Sequence, residues 1–219
     1  MDVKMSVTTI VKSLLPPYGA AKGSRRPLIA LCVGHSRKGD SGASSLTGAS
    51  EWTYNQKVTE YLRMDLERRG INCVVFTHYD GTGYGGAMTW LAAQLELLKV
   101  DFAVELHFNC ADNALAKGYE FLYWINSRKS KIIADTFGET FKKNYPDLLN
   151  RGNKGLTKDD RGALFVRLPS MPSVILEPFF GSNKREWDIF GNEVGQRSLA
   201  GSYGEAIELA CGSLGLRGV

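Results

Sequence analysis

Leu28-Ile29-Ala30-Leu31-Cys32-Val33-Gly34-His35 is an apolar run that stops at a glycine and a histidine. A short, uninterrupted apolar segment with branched side chains, closed by a turn former, reads as a strand inside a covered sheet. Two later segments close in the same manner. Asp101-Phe102-Ala103-Val104-Glu105-Leu106 runs into His107-Phe108-Asn109, and Ser173-Val174-Ile175-Leu176 closes on Glu177 before Pro178. Each run delivers a polar side chain to its C-terminal end, which is where open α/β sheets bind ligands.

Working outward, apolar runs and amphipathic stretches alternate. Strands are expected at Leu28–Gly34, Asn72–His78, Asp101–Asn109, Tyr119–Trp124, Ala163–Arg167 and Ser173–Glu177. Helices are expected at Glu51–Arg69, Gly86–Lys99, Arg128–Tyr145 and Gly195–Leu214. Ser50 suits the N-cap of the first helix, Gly70 suits the left-handed position after it, and Tyr54, Val58, Tyr61, Leu62 and Leu66 give it an apolar face. Parallel neighbours need long crossovers, so this order predicts an α/β fold: a mostly parallel, twisted central sheet of about six strands with helices on both faces. Right-handed crossovers then align the strand C-termini along one edge, and a metal site is expected there.

At 219 residues with 43% apolar content, the chain has the size and composition of one large domain. Residues 1–26 read as an N-terminal arm or short helix ending in Pro16-Pro17 and a basic linker, and residues 27–219 as the catalytic domain. Lys12 and two threonines interrupt the apolar stretch that a secretory leader would need. The net charge of +4 and pI near 8.8 give mild attraction to anionic surfaces, yet acids are mixed among the bases, so nucleic acid is not expected as a partner. No run reaches the roughly 18 apolar residues of a membrane span, so no stable membrane insertion is expected. Four cysteines at 32, 73, 110 and 211 lie in apolar stretches and read as small buried side chains, not as a disulfide framework.

Four residues carry the chemistry: His35, Glu51, His107 and Glu177. Imidazole nitrogens and carboxylate oxygens suit zinc, which takes them at about 2.0–2.2 Å and keeps a position open when it is catalytic. His35, Glu51 and His107 make such a set, because a carboxylate in the first helical turn is held at a fixed angle near the loop after His35. Glu51 also reads as an ordinary helix-starting acid. Glu177 ends a buried strand, where a carboxylate is costly without a partner or a task. A zinc ion would supply both; Arg161, Arg167 or Lys184 would supply a structural ion pair instead. His78 borders the loop from Tyr79 to Gly86 and reads as a surface residue. Cys32-x-x-His35 and His107-x-x-Cys110 look like halves of a structural zinc site, but side chains three apart on a strand face opposite ways, so Cys32 is expected in the packed layer.

Val33-Gly34-His35, Gly42-Ala43, Glu51, Leu106-His107-Phe108-Asn109 and Val174-Ile175-Leu176-Glu177-Pro178-Phe179-Phe180-Gly181-Ser182-Asn183 together resemble the zinc-dependent N-acetylmuramoyl-L-alanine amidases of the amidase type 3 family. Arg151-Gly152-Asn153-Lys154 and Arg167-Leu168-Pro169 resemble the stretch that leads to the last motif. The similarity runs from about Leu28 to the final helix, and the order His, Glu, His, Glu is specific only as a set. Three positions depart from the family pattern: Trp52 follows Glu51 where Lys is common, Glu105 precedes Leu106 where Ser is common, and Pro178 follows Glu177.

The resemblance implies one Zn2+ per chain held by His35, Glu51 and His107, with Glu177 as catalytic carboxylate. It implies hydrolysis of the amide between N-acetylmuramic acid and L-alanine, so peptidoglycan is the expected partner of a monomeric enzyme. Asn109, Arg151 and Arg167 are candidate substrate contacts, although Asn109 is better explained as capping the strand-to-loop turn. Trp52, the loop from Tyr79 to Gly86 and the basic stretch from Arg151 to Arg161 are candidates for the groove's rim. A phage-type endolysin made in the bacterial host cytoplasm and acting at the cell wall or periplasm is the expected setting, with a cellular amidase as the other. A zinc peptidase or deacylase, or a non-catalytic peptidoglycan-binding module, are the competing classes.

Overall fold

A computed structural model describes residues 26–216. The elements are β1 (Leu28–Val33), α1 (Glu51–Arg68), β2 (Asn72–Phe76), α2 (Gly83–Leu98), β3 (Phe102–Leu106), β4 (Glu120–Trp124), α3 (Arg128–Asn144), β5 (Lys154–Leu156), α4 (Ala163–Arg167), β6 (Ser173–Glu177), α5 (Lys184–Phe190) and α6 (Glu193–Ser213). They build one six-stranded sheet in the order β2-β1-β3-β6-β4-β5. All its pairings are parallel except β4 with β6. The arm expected over residues 1–26 lies, but for Arg26, outside the described residues.

The period-two alternation of each strand sorts its side chains into two apolar layers. Ile29, Leu31, Phe102, Val104, Leu106, Val174 and Leu176 face α1, α3 and α6, where they meet Val58, Leu62, Phe137, Leu199 and Tyr203. Ala30, Cys32, Ala103 and Ile175 face the other way, onto Met88 and Leu91 of α2 and Phe165 of α4. Full burial of one such Val, Leu or Phe side chain stabilises the fold by roughly 1.5–3 kcal/mol. Both faces of the sheet are therefore covered, which is why its central strands read as continuous apolar runs.

The local signals of the first helix act as expected. Ser50 Oγ accepts from Thr53 N, Arg69 caps the other end, and Gly70 takes φ 72. α1 then buries Tyr54, Val58, Leu62 and Leu66 on one face. That face fixes the direction in which the residue at its N-terminus, Glu51, points.

Four features depart from expectation. Ala163–Arg167 is a short helix, not a strand: an apolar pentapeptide does not distinguish the two by periodicity, and this one buries Ala163, Phe165 and Val166 against the second layer. The remaining strand is Lys154–Leu156, an edge segment of 3 residues with no apolar alternation to announce it. A helix at Lys184–Phe190 was not expected; Asn183 caps it through its side chain, which accepts from Glu186 N. Strand ends also retreat, with β1 stopping at Val33 and β3 at Leu106, so His35 and His107 stand just beyond the sheet.

Candidate metal centre

β1, β3 and β6 are adjacent and parallel, so His35, His107 and Glu177 emerge side by side at one edge. Gly34 N donates to Leu106 O at 3.0 Å, which extends the ladder one step past the strand. The backbone then turns sharply at His35, which takes φ 60. That conformation is uncommon outside glycine and redirects the ring over the cleft. Asp40 fixes it: His35 Nδ1 lies 3.0 Å from Asp40 Oδ1, which also accepts from Gly42 N at 3.1 Å. With Nδ1 so engaged, Nε2 faces Glu51 Oε2 at 3.2 Å.

Glu51 sits in the first turn of α1 and is only 3% exposed. Its Oε1 accepts from His107 Nδ1 at 2.8 Å and from Phe108 N at 3.2 Å, and its Oε2 accepts from Ala43 N at 3.0 Å. The carboxylate is thus clamped by two backbone amides and wedged between two imidazoles. The rings meet edge to face with centroids 5.0 Å apart. Close approach explains Gly34, since a Cβ at that position would collide with the His107 ring.

Electrostatics follow from this wedge. Burial alone would raise the Glu51 carboxyl, but hydrogen bonds and charges from His107 and His35 hold it well below the usual carboxylate range. Burial would lower both imidazoles, yet the carboxylates beside them win and raise His35 and, more strongly, His107. One donor atom each from His35, Glu51 and His107 falls within 4.8 Å of the others. Two imidazoles around one carboxylate, open on one side to a cleft, form a donor set of the kind that takes zinc.

Glu177 stands beside this set. Its Oε2 is sealed from solvent without a hydrogen-bond partner. Burial pushes its pKa up to about 8, helped by Glu51 and Glu120 and opposed by His107 and His35. Glu120 lies directly across from it because β4 runs antiparallel, which brings the first residue of that strand to the same edge. Arg151 Nε donates to Glu120 Oε2 at 2.9 Å, Lys154 pairs with the same oxygen, and Asn109 Nδ2 donates to Oε1 at 3.2 Å. The Arg151 guanidinium also lies 5.0 Å over the Phe180 ring.

These residues border a cleft of about 760 Å³. His35, Glu51, His107, Asn109 and Glu177 line it, as do Tyr79, Tyr84 and Arg161 of the expected rim. Arg151 reaches the wall through Glu120. Arg167 does not reach it; it is exposed on the last turn of α4. Trp52 turns away, donating from Nε1 to Thr77 O at 3.3 Å and meeting the exposed His78 ring edge to face.

Cys32 is buried in the second layer, as strand geometry requires, and Cys211 is buried in the first; Cys73 is half-buried, and Cys110 is exposed and departs from the expectation of burial. Glu105 and Glu120 were missed as parts of the site. For Glu105 a signal existed, since an acid two residues before His107 on a strand shares its face.

Fold and site define a hydrolase of the α/β type, with its titratable residues gathered at the strand C-termini. Residues 29–209 match the family model of N-acetylmuramoyl-L-alanine amidase, and the chain belongs to that family. Its class is therefore that of an amidase of peptidoglycan.

The chain is similar to the catalytic domain of CwlV, an N-acetylmuramoyl-L-alanine amidase from Bacillus (Paenibacillus) polymyxa var. colistinus, at 22% identity and TM-score 0.71 over 87% of this chain and 99% of that one. The CwlD amidase from Clostridioides difficile, solved with the GerS lipoprotein, matches at 21% identity and TM-score 0.75 over 86% and 100%. The catalytic domain of the CD27L endolysin targeting Clostridia difficile matches at 22% and TM-score 0.64 over 89% and 100%. At these identities the likeness is one of fold. A search of curated protein sequences finds no match.

Proposed function

We propose that this chain is a zinc-dependent enzyme that cleaves the amide joining the lactyl group of N-acetylmuramic acid to L-alanine. The observation that carries this reading is the convergence of His35, Glu51 and His107 within 4.8 Å, beside the unpartnered Oε2 of Glu177, in a chain of the amidase family. Zinc on those three donors would act as a Lewis acid, polarising the scissile carbonyl and lowering the pKa of a water toward about 7.

The chain's own residues do the rest. Asp40 and the amides of Ala43 and Phe108 hold the donors in place, so little reorganisation remains to be done at the moment of reaction. Glu177 takes a proton from the attacking water and returns it to the departing amine of L-alanine. A carboxyl poised between burial, which favours the acid, and neighbouring positive charge, which favours the anion, suits both tasks. Asn109 and Arg151, joined through Glu120, frame the wall on which a stem peptide would lie, and Arg161 adds positive charge across the cleft. Arg167 is assigned no contact.

We also assign the chain to lysis of the wall as a monomeric endolysin made in the host cytoplasm. Its net charge of +4 supports this setting by drawing it to anionic wall polymers. Co-expression with a membrane-permeabilising protein should clear the culture, whereas expression alone should not; clearing without permeabilisation would exclude cytoplasmic retention.

The bond itself is tested by digesting purified sacculi and identifying the products by mass spectrometry. New N-terminal L-alanine with intact glycan is the expected outcome. Cuts within the stem peptide would replace this reading with that of a zinc peptidase.

A further inference from the structure

Glu105 lies in the middle of the sheet, 5% exposed, where a carboxylate has no obvious business. Register sets it in a row between Cys32 and Ile175, and neither of these two neighbours carries a charge. A lone carboxylate in such a row is expensive to bury unless hydrogen bonds or an opposite charge compensate it. Two groups do. Tyr79 OH donates to Glu105 Oε1 at 3.1 Å, and His107 Nε2 lies 3.1 Å from Oε2. Among the described residues, no Lys or Arg pairs with Glu105; its one positive partner is the His107 ring.

The two imidazoles of the centre are thus backed in the same way. His35 presents Nε2 to Glu51 while its Nδ1 rests on Asp40; His107 presents Nδ1 to Glu51 while its Nε2 faces Glu105. The Asp40 contact lies partly open to solvent, and the Glu105 contact is buried. Nε2 is buried and makes no hydrogen bond, and Glu105 Oε2, 3.1 Å away, is the carboxylate that faces it.

We propose that Glu105 is a positioning residue for the metal centre. It takes the Nε2–H of His107, fixes the tautomer whose Nδ1 lone pair faces the cation, and makes that nitrogen a better donor; Tyr79 in turn orients Glu105. The inference rests on the zinc reading of the site. A carboxylate behind a metal-binding histidine typically alters metal affinity by about 10–100-fold.

The test is the zinc dissociation constant, measured by competition with a chromogenic chelator, for the wild type, Glu105→Ser, Glu105→Gln and Tyr79→Phe. Glu105→Ser should bind zinc about 10–100-fold more weakly. Glu105→Gln should lose less, since its amide oxygen still accepts from Nε2, and Tyr79→Phe should lose least. Loss of Glu105 leaves the Tyr79 hydroxyl and the His107 ring short of a buried partner, so the metal-free Glu105→Ser protein should melt lower as well as bind zinc more weakly. A purely structural role predicts the lower melting temperature with zinc affinity intact.

A Glu105→Ser affinity within about threefold of a tightly binding wild type overturns the inference and leaves the zinc reading standing. A folded wild type that takes up no zinc overturns both. Should Glu105→Ser fail to fold, Glu105→Gln, nearly equal in volume, carries the same test through the nitrogen-15 shifts of the zinc-loaded His107 ring: protonated Nε2 supports the inference, and protonated Nδ1 overturns it.

Discussion

Replacing Glu177 with glutamine should stabilise the metal-free protein in alkaline solution while removing its turnover. The carboxyl titrates near 8 in the folded chain, raised from 4.5 mainly by burial. Between those two values the folded state holds a proton that the unfolded state has released, so stability falls as pH rises through this window and levels off above about 8. The gap of roughly 3.5 units corresponds to roughly 5 kcal/mol at about 1.36 kcal/mol per unit. Glu177 faces the cleft, and solvent relaxation there reduces the realised cost to about 2–4 kcal/mol. For a domain of this size that is a melting shift on the order of 5–15 °C. The assay is thermal unfolding of chelated wild type and Glu177→Gln at pH 4 and pH 9. The amide's own burial cost does not titrate, so the change in the difference between the two proteins isolates the charge. Glu177→Gln should gain on the wild type by the stated amount on going from pH 4 to pH 9. A difference that stays constant, or that moves against the variant at pH 9, would show that Glu177 carries no buried charge and refute the reasoning. The same variant, loaded with zinc, should lose about 10²–10⁴ in rate on peptidoglycan, since glutamine carries no proton for the amine.

The raised imidazoles mean that zinc must displace protons from His35 and His107; calorimetry in buffers of different ionisation enthalpy should reveal proton release on binding, with affinity falling as pH is lowered. Equal heats in all buffers would contradict the electrostatics described for Glu51 and its two partners. Gly34→Ala should cripple zinc uptake while leaving most of the fold intact, because the added Cβ occupies the place of the His107 ring; an unchanged zinc affinity would show that the ring is not held there. Arg151→Ala should raise KM for peptidoglycan with zinc content unaltered, because it removes one of the two cations that hold Glu120 at the wall without touching the donors; unchanged KM would remove Arg151 from the substrate face.

Much of this fold could be read along the chain because its central strands are buried on both sides and announce themselves as continuous apolar runs. β1, β3 and β6 stand out for that reason, and so do the histidines and the glutamate at their ends. What was hidden depended on neighbours. Lys154–Leu156 pairs at the edge with β4 alone, and its burial rises only at Leu156. Ala163–Arg167 has the composition of a strand but curls into a helix against the second apolar layer. Glu120 is catalytically interesting only because β4 runs antiparallel to β6, a fact of pairing that no residue in β4 declares. Glu105 was noticed as an acid ahead of Leu106, but its partner Tyr79 comes from 26 positions away and is visible only in three dimensions.

The proposed function requires one cation shared by His35, Glu51 and His107. Zinc-edge anomalous diffraction from crystals of the zinc-loaded protein tests it directly. A single strong peak at about 2.0–2.2 Å from one donor atom of each residue is the predicted result. A peak bonded to fewer than these three side chains, or none in a protein that still releases L-alanine termini from sacculi, would contradict it.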